Sequence, residues 1–206
     1  MVIASVQEVS TGCLKIITGS GPSFFVRINY LSLVRPEEIT EGTEFTEEKE
    51  NDILDAGLAF AAEKKAVDYL ARAEQSHLGL YRKLIAKKFD ENAVNRALEY
   101  LEIKGYLSDR RFARAWLNNR KIAHSEGRSK LASELAARGI GREDARSALD
   151  EFFENNSEED LCARALAKCR RLKKNEEKTI EYLLRSGFSY AMIKAAIDSE
   201  SLPDEK

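Results

Sequence analysis

Two pairs of neighbouring serine and histidine residues are the first candidates for chemistry in this sequence. Ser76–His77 and His124–Ser125 have the residue types of a nucleophile and its base. Neighbours on a helix point in different directions, however, and no Asp or Cys partner is indicated for either pair. We therefore predict no catalytic triad.

Metal and phosphate chemistry have equally little support. Asp109 with Glu126 or Asp144 has the residue types of a metal pair, but Asp109 is better explained as an acidic residue at a helix start. The glycine-rich segment ITGSGP is followed by no lysine and helix, so it predicts a turn and not a phosphate-binding loop. We predict a protein that is not an enzyme and needs no metal or cofactor.

Basic residues are concentrated in the middle of the chain. The 206 residues carry a net charge of −2, but residues 1–62 hold four Lys and Arg against ten Asp and Glu, and residues 63–153 hold nineteen against fourteen. This asymmetry indicates either an anionic partner for the middle segment or only a solvated surface. The segment KGYLSDRRFARAW, residues 104–116, mixes arginines with aromatic residues, which is typical both of nucleic-acid contact and of an amphipathic helix.

The spacing within that segment assigns different roles to its aromatic and basic residues. Phe112 and Trp116 are four apart and share a helix face, so we predict that they are core residues. Arg110, Arg114 and Lys121 form a stripe away from Phe112 and are predicted to face solvent. Other predicted core positions in this region are Leu135 and Ile140.

The elements around this segment are predicted to be strands first and helices afterwards. VIASVQEV, CLKIIT and SFFVRINY are typical of strands and predict a small antiparallel hairpin or meander that ends at Pro36. A helix is expected to begin near Thr46. No proline occurs between Pro36 and Pro203, which predicts a long all-helical region.

An apolar pattern repeats three times within this helical region, with offsets of five, five and four residues. Its members are Leu84, Phe89, Val94 and Leu98, then Leu135, Ile140, Ala145 and Leu149, then Leu183, Phe188, Ile193 and Ile197. Gly139 and Gly187 are predicted to end helices with positive φ, whereas Lys88 stands at the corresponding position and predicts a helix end that is more strained or differently wound. The next helices are expected to start from Asp90, Gly141 and Ser189.

The repeat predicts a mainly α-helical fold of tandem three-helix units in an elongated, curved array, preceded by a small β-rich module. An earlier helix of each unit is expected at roughly residues 58–74, 109–123 and 158–172. The predicted domains are a β-rich module at 1–45, a linker helix with the first repeat at 46–108, the second repeat at 109–156, and the third repeat with a tail at 157–206.

The segments GYLSDRRFARAWLNNR and EGRSKLASELAARGI resemble the RecX family of bacterial recombination regulators. The family pattern is G-Y/L-L-D-D-x-R-F-A, an arginine, and then G-x-x-x-I/L-x-x-E-L-x-x-K/R-G-I. The matching residues are Gly105, Tyr106, Leu107, Asp109, Arg111, Phe112, Ala113, Arg120, Gly127, Leu131, Glu134, Leu135, Gly139 and Ile140. Ser108 stands where the family usually has Asp, and Gly79 departs from a usual Glu in the first repeat. The resemblance covers residues 56–200 well and the amino-terminal strands loosely.

What the resemblance implies is a non-catalytic regulator of the RecA recombinase. RecX-like proteins bind the RecA–DNA filament and suppress strand exchange and ATP hydrolysis, or disassemble the filament. The implied partners are therefore the RecA filament and, in addition, single- or double-stranded DNA, and the protein is expected to be a monomer. The alternative is a free-standing helical DNA-binding module whose affinity falls steeply with salt.

Face and charge select the residues expected to contact the partner. They are Arg110, Arg114, Arg120, Lys121, Arg128 and Lys130 in the second repeat, with Arg72, Arg82 and Lys83 in the first. Pairs at i, i+4 such as Lys130 with Glu134 leave open that some of these residues only decorate a helix.

Composition also bears on the compartment. No run of about 18 apolar residues is present, and the start of the chain does not resemble a secretory signal. Three cysteines without a CxxC pair fit a reducing environment. We therefore expect a cytoplasmic protein without a membrane span.

Overall fold

The computed structural model describes residues 1–19 and 21–201, which form two compact units. The first comprises Met1–Leu107, and the second begins at Ser108. The first unit contains a small sheet and three helices, and the described part of the second contains six helices. The predicted mainly helical fold with a small amino-terminal sheet is thus confirmed. Ser20 in the predicted turn and the tail beyond residue 201 lie outside the described residues.

The amino-terminal strands form an antiparallel meander, as predicted. β1 is Ile3–Ser10, β2 is Cys13–Thr18 and β3 is Phe24–Arg27, and the order in the sheet is β1-β2-β3. Gly12 makes the turn between the first two strands with a φ of 71°, which glycine adopts without strain. The second half of SFFVRINY differs from the prediction, because Ile28–Tyr30 forms a 3-10 turn instead of continuing the strand.

The helices follow one another with short connections. They are α1 Glu47–Leu70, α2 His77–Ala86, α3 Glu91–Ile103, α4 Asp109–Ala123, α5 Arg128–Ala137, α6 Arg142–Glu154, α7 Glu158–Arg171, α8 Glu176–Arg185 and α9 Tyr190–Ser201. The expected helix at 109–123 coincides with α4, and the one at 158–172 with α7 to within a residue.

The expected helix at 58–74 is wrong at both ends, because α1 is one continuous helix of 24 residues. The segment between Thr46 and residue 58 contains good helix formers, and Gly57 does not interrupt it. A Cβ at Gly57 would lie 2.9 Å from the ring of Phe24. This glycine therefore gives β3 close access to the side of α1.

The helix ends at the three repeat junctions share the hydrogen bonds of a Schellman motif. The N–H of Phe89, Ile140 and Phe188 donates to the carbonyl five residues earlier, at 3.3, 3.1 and 3.3 Å. The residue before each has positive φ, which was predicted for the two glycines: 82° at Gly139 and 93° at Gly187, with 64° at Lys88. Lys88 therefore adopts a conformation that a side chain normally disfavours.

Charged side chains join the sheet to the helices in the first unit. Arg27 at the end of β3 donates to the Glu63 carboxylate of α1 at 2.7 Å, and the Tyr30 hydroxyl donates to the same carboxylate at 3.0 Å. The Arg27 guanidinium also lies 4.8 Å from the ring centre of Tyr100 on α3. Burial, reinforced by the Glu63 carboxylate, raises the pKa of Tyr30 far above its usual value, so the hydroxyl keeps its proton and remains a donor.

A second buried carboxylate fixes the loop that follows the sheet. Asp52 on α1 accepts hydrogen bonds from the backbone N–H groups of Ser32, Leu33 and Val34, at 2.9 Å for the closest oxygen in each case. Burial raises the pKa of Asp52, but these three bonds outweigh it and hold the pKa below its usual value. The backbone N–H groups of this loop therefore donate to a side-chain carboxylate, which satisfies them.

In the second unit, two glycines allow the backbone segment before α5 to pack directly against the segment after α8. The Gly127 N–H donates to the Ser186 carbonyl at 2.8 Å. A Cβ at Gly127 would lie 2.5 Å from the Gly187 carbonyl oxygen, and a Cβ at Gly187 would lie 2.5 Å from the Lys130 nitrogen. We call this contact the glycine joint. Because no side chain fits there, it brings the start of α5 directly against the end of α8.

Candidate basic contact surface

Helix α4 carries most of the candidate contact residues, and Ser108 fixes where it begins. The Ser108 hydroxyl accepts a hydrogen bond from the N–H of Arg111 at 3.3 Å. Ser108 therefore takes the N-cap position, and Asp109 is the first helical residue, where its negative charge is favourable.

The apolar face of α4 is centred one position away from the predicted pair. Ala113 and Leu117 are fully buried, whereas Phe112 and Trp116 are half-buried and pack against the same core. Positions 113 and 117 are also four apart, so they form the adjacent ridge of the helix that enters the core. Phe112 and Trp116 therefore cover the edge of the core rather than occupy its centre.

The other predicted core positions, Leu135 and Ile140, are buried more deeply than Phe112 and Trp116. Leu135 is 0% and Ile140 is 5% exposed.

Two cationic side chains flank the ring of Trp116. The Arg138 guanidinium lies 4.5 Å from the centre of the Trp116 ring, and that of Arg120 lies 5.6 Å from it. These distances are within the range of cation–π attraction.

The predicted stripe of Arg110, Arg114 and Lys121 does not lie on a single solvent-facing surface. Arg110 is exposed. Arg114 instead forms an ion pair with Glu151 of α6, and its Nε is buried without a hydrogen-bond partner. Lys121 lies 3.5 Å from the Asn156 side-chain oxygen. The stripe is divided because α6 packs along α4 on the side that carries Arg114 and Lys121.

The remaining candidates of the second repeat are engaged in ion pairs. Arg120 donates two bonds to Glu126 at 2.8 and 2.9 Å, and this carboxylate raises the already high pKa of Arg120. Arg128 pairs with Asp150.

Lys130 belongs to a helix-surface network on α5. It pairs with Glu134 at 3.1 Å, and Glu134 also receives a bond from Arg138 at 2.7 Å. The bonds from Arg138 and then Lys130 lower the pKa of Glu134. The i, i+4 pair of Lys130 with Glu134 thus forms in the structure, and a contact role for Lys130 stays a prediction.

The first-unit candidates Arg72, Arg82 and Lys83 are exposed. Lys83 donates to the Gln75 side chain at 2.5 Å and lies 5.3 Å from the Tyr69 ring centre. Arg72 and Arg82 have no ion pair within the described part of the first unit. Their charges are therefore the least compensated of the three.

Sequence reasoning missed the acids that pair with these cations. Glu126, Asp150 and Glu151 each hold a candidate arginine. Helix spacing reveals pairs within a single helix. Glu126 lies in the loop after α4, and Asp150 and Glu151 lie on α6, so none of them is at helix spacing from its arginine and the sequence carries no direct signal for these pairs.

The serine of the first serine–histidine pair has a local structural role. The Ser76 hydroxyl accepts from the Gly79 N–H at 3.1 Å and so caps α2. Within residues 1–19 and 21–201, no group of three or more His, Cys, Asp or Glu side chains is placed to hold a metal ion. None of the helices described is both long and apolar enough to span a bilayer.

Comparison with known proteins gives consistent matches. The family profile "RecX, second three-helix domain" matches residues 108–149, which span α4, α5 and most of α6. "Regulatory protein RecX" of Treponema pallidum is 36% identical over 160 residues, covering 78% of this chain and 98% of that protein. "Regulatory protein RecX" of Clostridioides difficile is 28% identical over 180 residues, covering 85% and 84%.

A solved structure shows the same fold. The crystal structure of a "regulatory protein RecX" superposes with a TM-score of 0.76 at 22% identity, over 96% of this chain and 98% of the other. The similarity therefore extends over both units and includes the amino-terminal sheet.

Proposed function

This chain belongs to the RecX family, and from that membership we propose that it is a non-catalytic regulator of a RecA-type recombinase. It binds the recombinase or its filament on DNA and inhibits ATP hydrolysis, strand exchange and filament growth. Its role lies in recombination and repair, and its place of action is the cytoplasm, where that filament forms.

The observation that carries the proposal is the extent of the sequence similarity. A regulatory protein of the same family is 36% identical across 98% of its own length, so the match is not confined to one helical unit. The absence of a phosphate-binding motif from the sequence is consistent with a protein that alters the ATPase of a partner and hydrolyses nothing itself.

The cations with the least internal compensation are the best candidates for direct contact with the partner. Arg110 is exposed and makes no ion pair in the described part of its unit, and Arg72 and Arg82 share these properties. Arg120, Arg128 and Lys130 already hold carboxylates. We therefore rank Arg110, Arg72 and Arg82 first, and expect the paired cations to contribute after exchange of their internal partners.

The decisive experiment measures the ATPase and strand-exchange activities of the cognate recombinase on single-stranded DNA, with and without this protein. We expect both activities to fall as the protein approaches stoichiometric amounts. Unchanged ATPase at a concentration where binding to the filament is demonstrated would reject the proposal. An affinity for naked DNA equal to that for the filament would instead favour a free-standing DNA-binding module.

A charge variant tests the contact residues. Arg110→Ala combined with Arg72→Ala and Arg82→Ala should weaken filament binding and leave the melting temperature nearly unchanged, because exposed side chains contribute little to stability. The matched control is Arg146→Ala together with Lys64→Ala and Lys87→Ala, which removes the same charge from other exposed positions. Equal weakening by both sets would show that only net charge matters.

A further inference from the structure

A pocket of about 240 Å³ opens where α4 meets α6 in the second unit. The buried residues Leu117, Ala148 and Phe152 line its inner side. Arg114 and Lys121 are the cations that line it. The pocket therefore combines an apolar base with two positive side chains.

The hydrogen-bonding capacity of these cations is incompletely used. The Arg114 Nε is buried and has no partner. The Lys121 Nζ reaches the Asn156 oxygen only at 3.5 Å, which is long for a hydrogen bond. A bound oxyanion would accept from the Lys121 Nζ and from the Arg114 Nη2 that now pairs with Glu151, and Asn118, which also lines the pocket, supplies a further amide donor.

The Glu151 carboxylate already binds the guanidinium group that such an oxyanion would contact. Glu151 lines the pocket and pairs with Arg114, and their side chains are 47% and 40% exposed. An ion pair this accessible to water is weak and exchangeable. An incoming oxyanion would therefore compete with Glu151 for the Arg114 guanidinium.

Two further cavities continue from the pocket. A narrow one shares Leu117, Lys121 and Phe152 with it and extends to His124 and Glu126. A wider one of about 310 Å³ also includes His124 and Glu126. The three cavities thus adjoin one another within the same unit.

Cations recur along these cavities, together with an aromatic side chain. The wider cavity is lined by Lys168, Arg185 and Tyr182, and Arg120 neutralises the Glu126 carboxylate with two hydrogen bonds. Recurring cations beside an aromatic ring are the features with which proteins follow a flexible nucleic-acid strand. A single acidic side chain of a protein partner would leave the wider cavity unused.

We propose that the α4–α6 pocket binds a backbone phosphate of a single-stranded nucleic acid, and that Glu151 holds Arg114 until the phosphate displaces it. The strand continues from this pocket towards Lys168 and Arg185. The site goes beyond the regulation of a recombinase, because it operates on the isolated protein.

The test uses fluorescence anisotropy of a labelled oligothymidylate with the full chain. Glu151→Gln removes the competitor and should tighten binding about two- to fivefold, the range expected for a surface ion pair. Glu154→Gln is the matched control, because it removes the same charge from an exposed position of α6 outside the pocket. Its effect should stay below about 1.5-fold at 0.15 M salt, where screening acts over about 8 Å.

Two further measurements separate the pocket from general electrostatics. Lys121→Gln should weaken binding and reduce the slope of log affinity against log salt by about 0.7, the contribution of one phosphate on a single strand. Arg146→Gln, also on α6, should leave the slope closer to that of the wild type. In an Arg114→Gln background, Glu151→Gln should gain no more affinity than Glu154→Gln, since Glu151 competes only through Arg114.

Three results would overturn the proposal. They are equal effects of Glu151→Gln and Glu154→Gln, no oligothymidylate binding by the correctly folded Glu151→Gln variant at about 0.05 M salt, and equally tight binding of polyglutamate. Recombinase assays on the same variants keep the two proposals apart. If the protein inhibits the recombinase normally but does not bind oligothymidylate, the proposal of a phosphate-binding pocket is rejected and the proposed regulatory function stands.

Discussion

The two compact units treat their charged groups differently. In the first unit, the carboxylates Asp52 and Glu63 are 9% and 5% exposed and each accepts several hydrogen bonds. In the described part of the second unit the buried polar residues are Thr179 and Ser186, and no carboxylate is buried. Buried ion pairs and hydrogen bonds therefore join the sheet to the helices in the first unit, whereas the described helices of the second unit pack through apolar side chains.

The helix-ending turns show the same difference at the level of the backbone. Lys88 in the first unit and Gly187 in the second both have positive φ and both precede a Schellman hydrogen bond. A positive φ at a helix end therefore does not by itself require glycine, since Lys88 adopts it with a side chain. Gly187 differs because the α5 backbone approaches it within the space that a Cβ needs, so packing, and not the turn, demands glycine there.

The largest effect is expected from the buried charge of the first unit. Glu63→Ala leaves Arg27 half-buried without its carboxylate and should lower the free energy of unfolding by about 3–5 kcal/mol. Chemical denaturation followed by circular dichroism measures this loss. The double change Arg27→Leu with Glu63→Leu removes both charges and should lose much less. A double variant as unstable as Glu63→Ala would show that the loss comes from packing.

The glycine joint should give the next largest loss. Gly187→Ala combines a strained φ, about 1–2 kcal/mol, with overpacking of about 1–3 kcal/mol, so we expect a total of roughly 2–5 kcal/mol. Gly105→Ala is the control, because its φ is 72° and a Cβ there would meet no atom within 4 Å. If thermal unfolding showed equal losses for both variants, close approach at the joint would have no energetic role.

Acid should weaken the first unit through Asp52. Its pKa is lower in the folded chain than its ordinary value, so the stabilisation is fully present above about pH 4 and is lost as the pH falls through the folded pKa. Asp52→Asn should lose about 1–3 kcal/mol at pH 7 and flatten the acid dependence of the melting temperature. An unchanged pH profile would exclude this carboxylate as a source of acid sensitivity.

The smallest effect is a gain. Lys88→Gly removes the strain of a lysine with positive φ, worth about 1–2 kcal/mol. Glycine also raises the conformational entropy of the unfolded chain, which offsets about 0.5–1 kcal/mol of that gain. We expect a net stabilisation of about 0.5 kcal/mol, visible as a small rise in melting temperature. A fall would mean that Lys88 makes favourable contacts that compensate for its φ.

Much of the fold was accessible from local sequence patterns. The strands, the helix turns at Gly139 and Gly187, and the caps at Asp90 and Ser189 depend on residues close together in the chain, and the structure confirms them. The merging of two expected helices into α1 was missed, because continuity across Gly57 is supported by contact with β3.

The candidate surface was less accessible from sequence. Face assignment on α4 was displaced by one ridge, since Ala113 and Leu117 enter the core beside Phe112 and Trp116. The pairing of Arg114 with Glu151 joins residues 37 positions apart on different helices, and only tertiary packing brings them together. Their contribution to partner binding stays a prediction.

The position of Trp116 has a practical consequence. It is the only tryptophan in the chain, it is half-buried, and two guanidinium groups flank its ring. Indole emission depends on nearby charge and on contact with water, so this residue is a built-in optical reporter for α4. Any ligand that draws Arg120 or Arg138 away from the ring will register as a change in intrinsic fluorescence, without a label on either molecule.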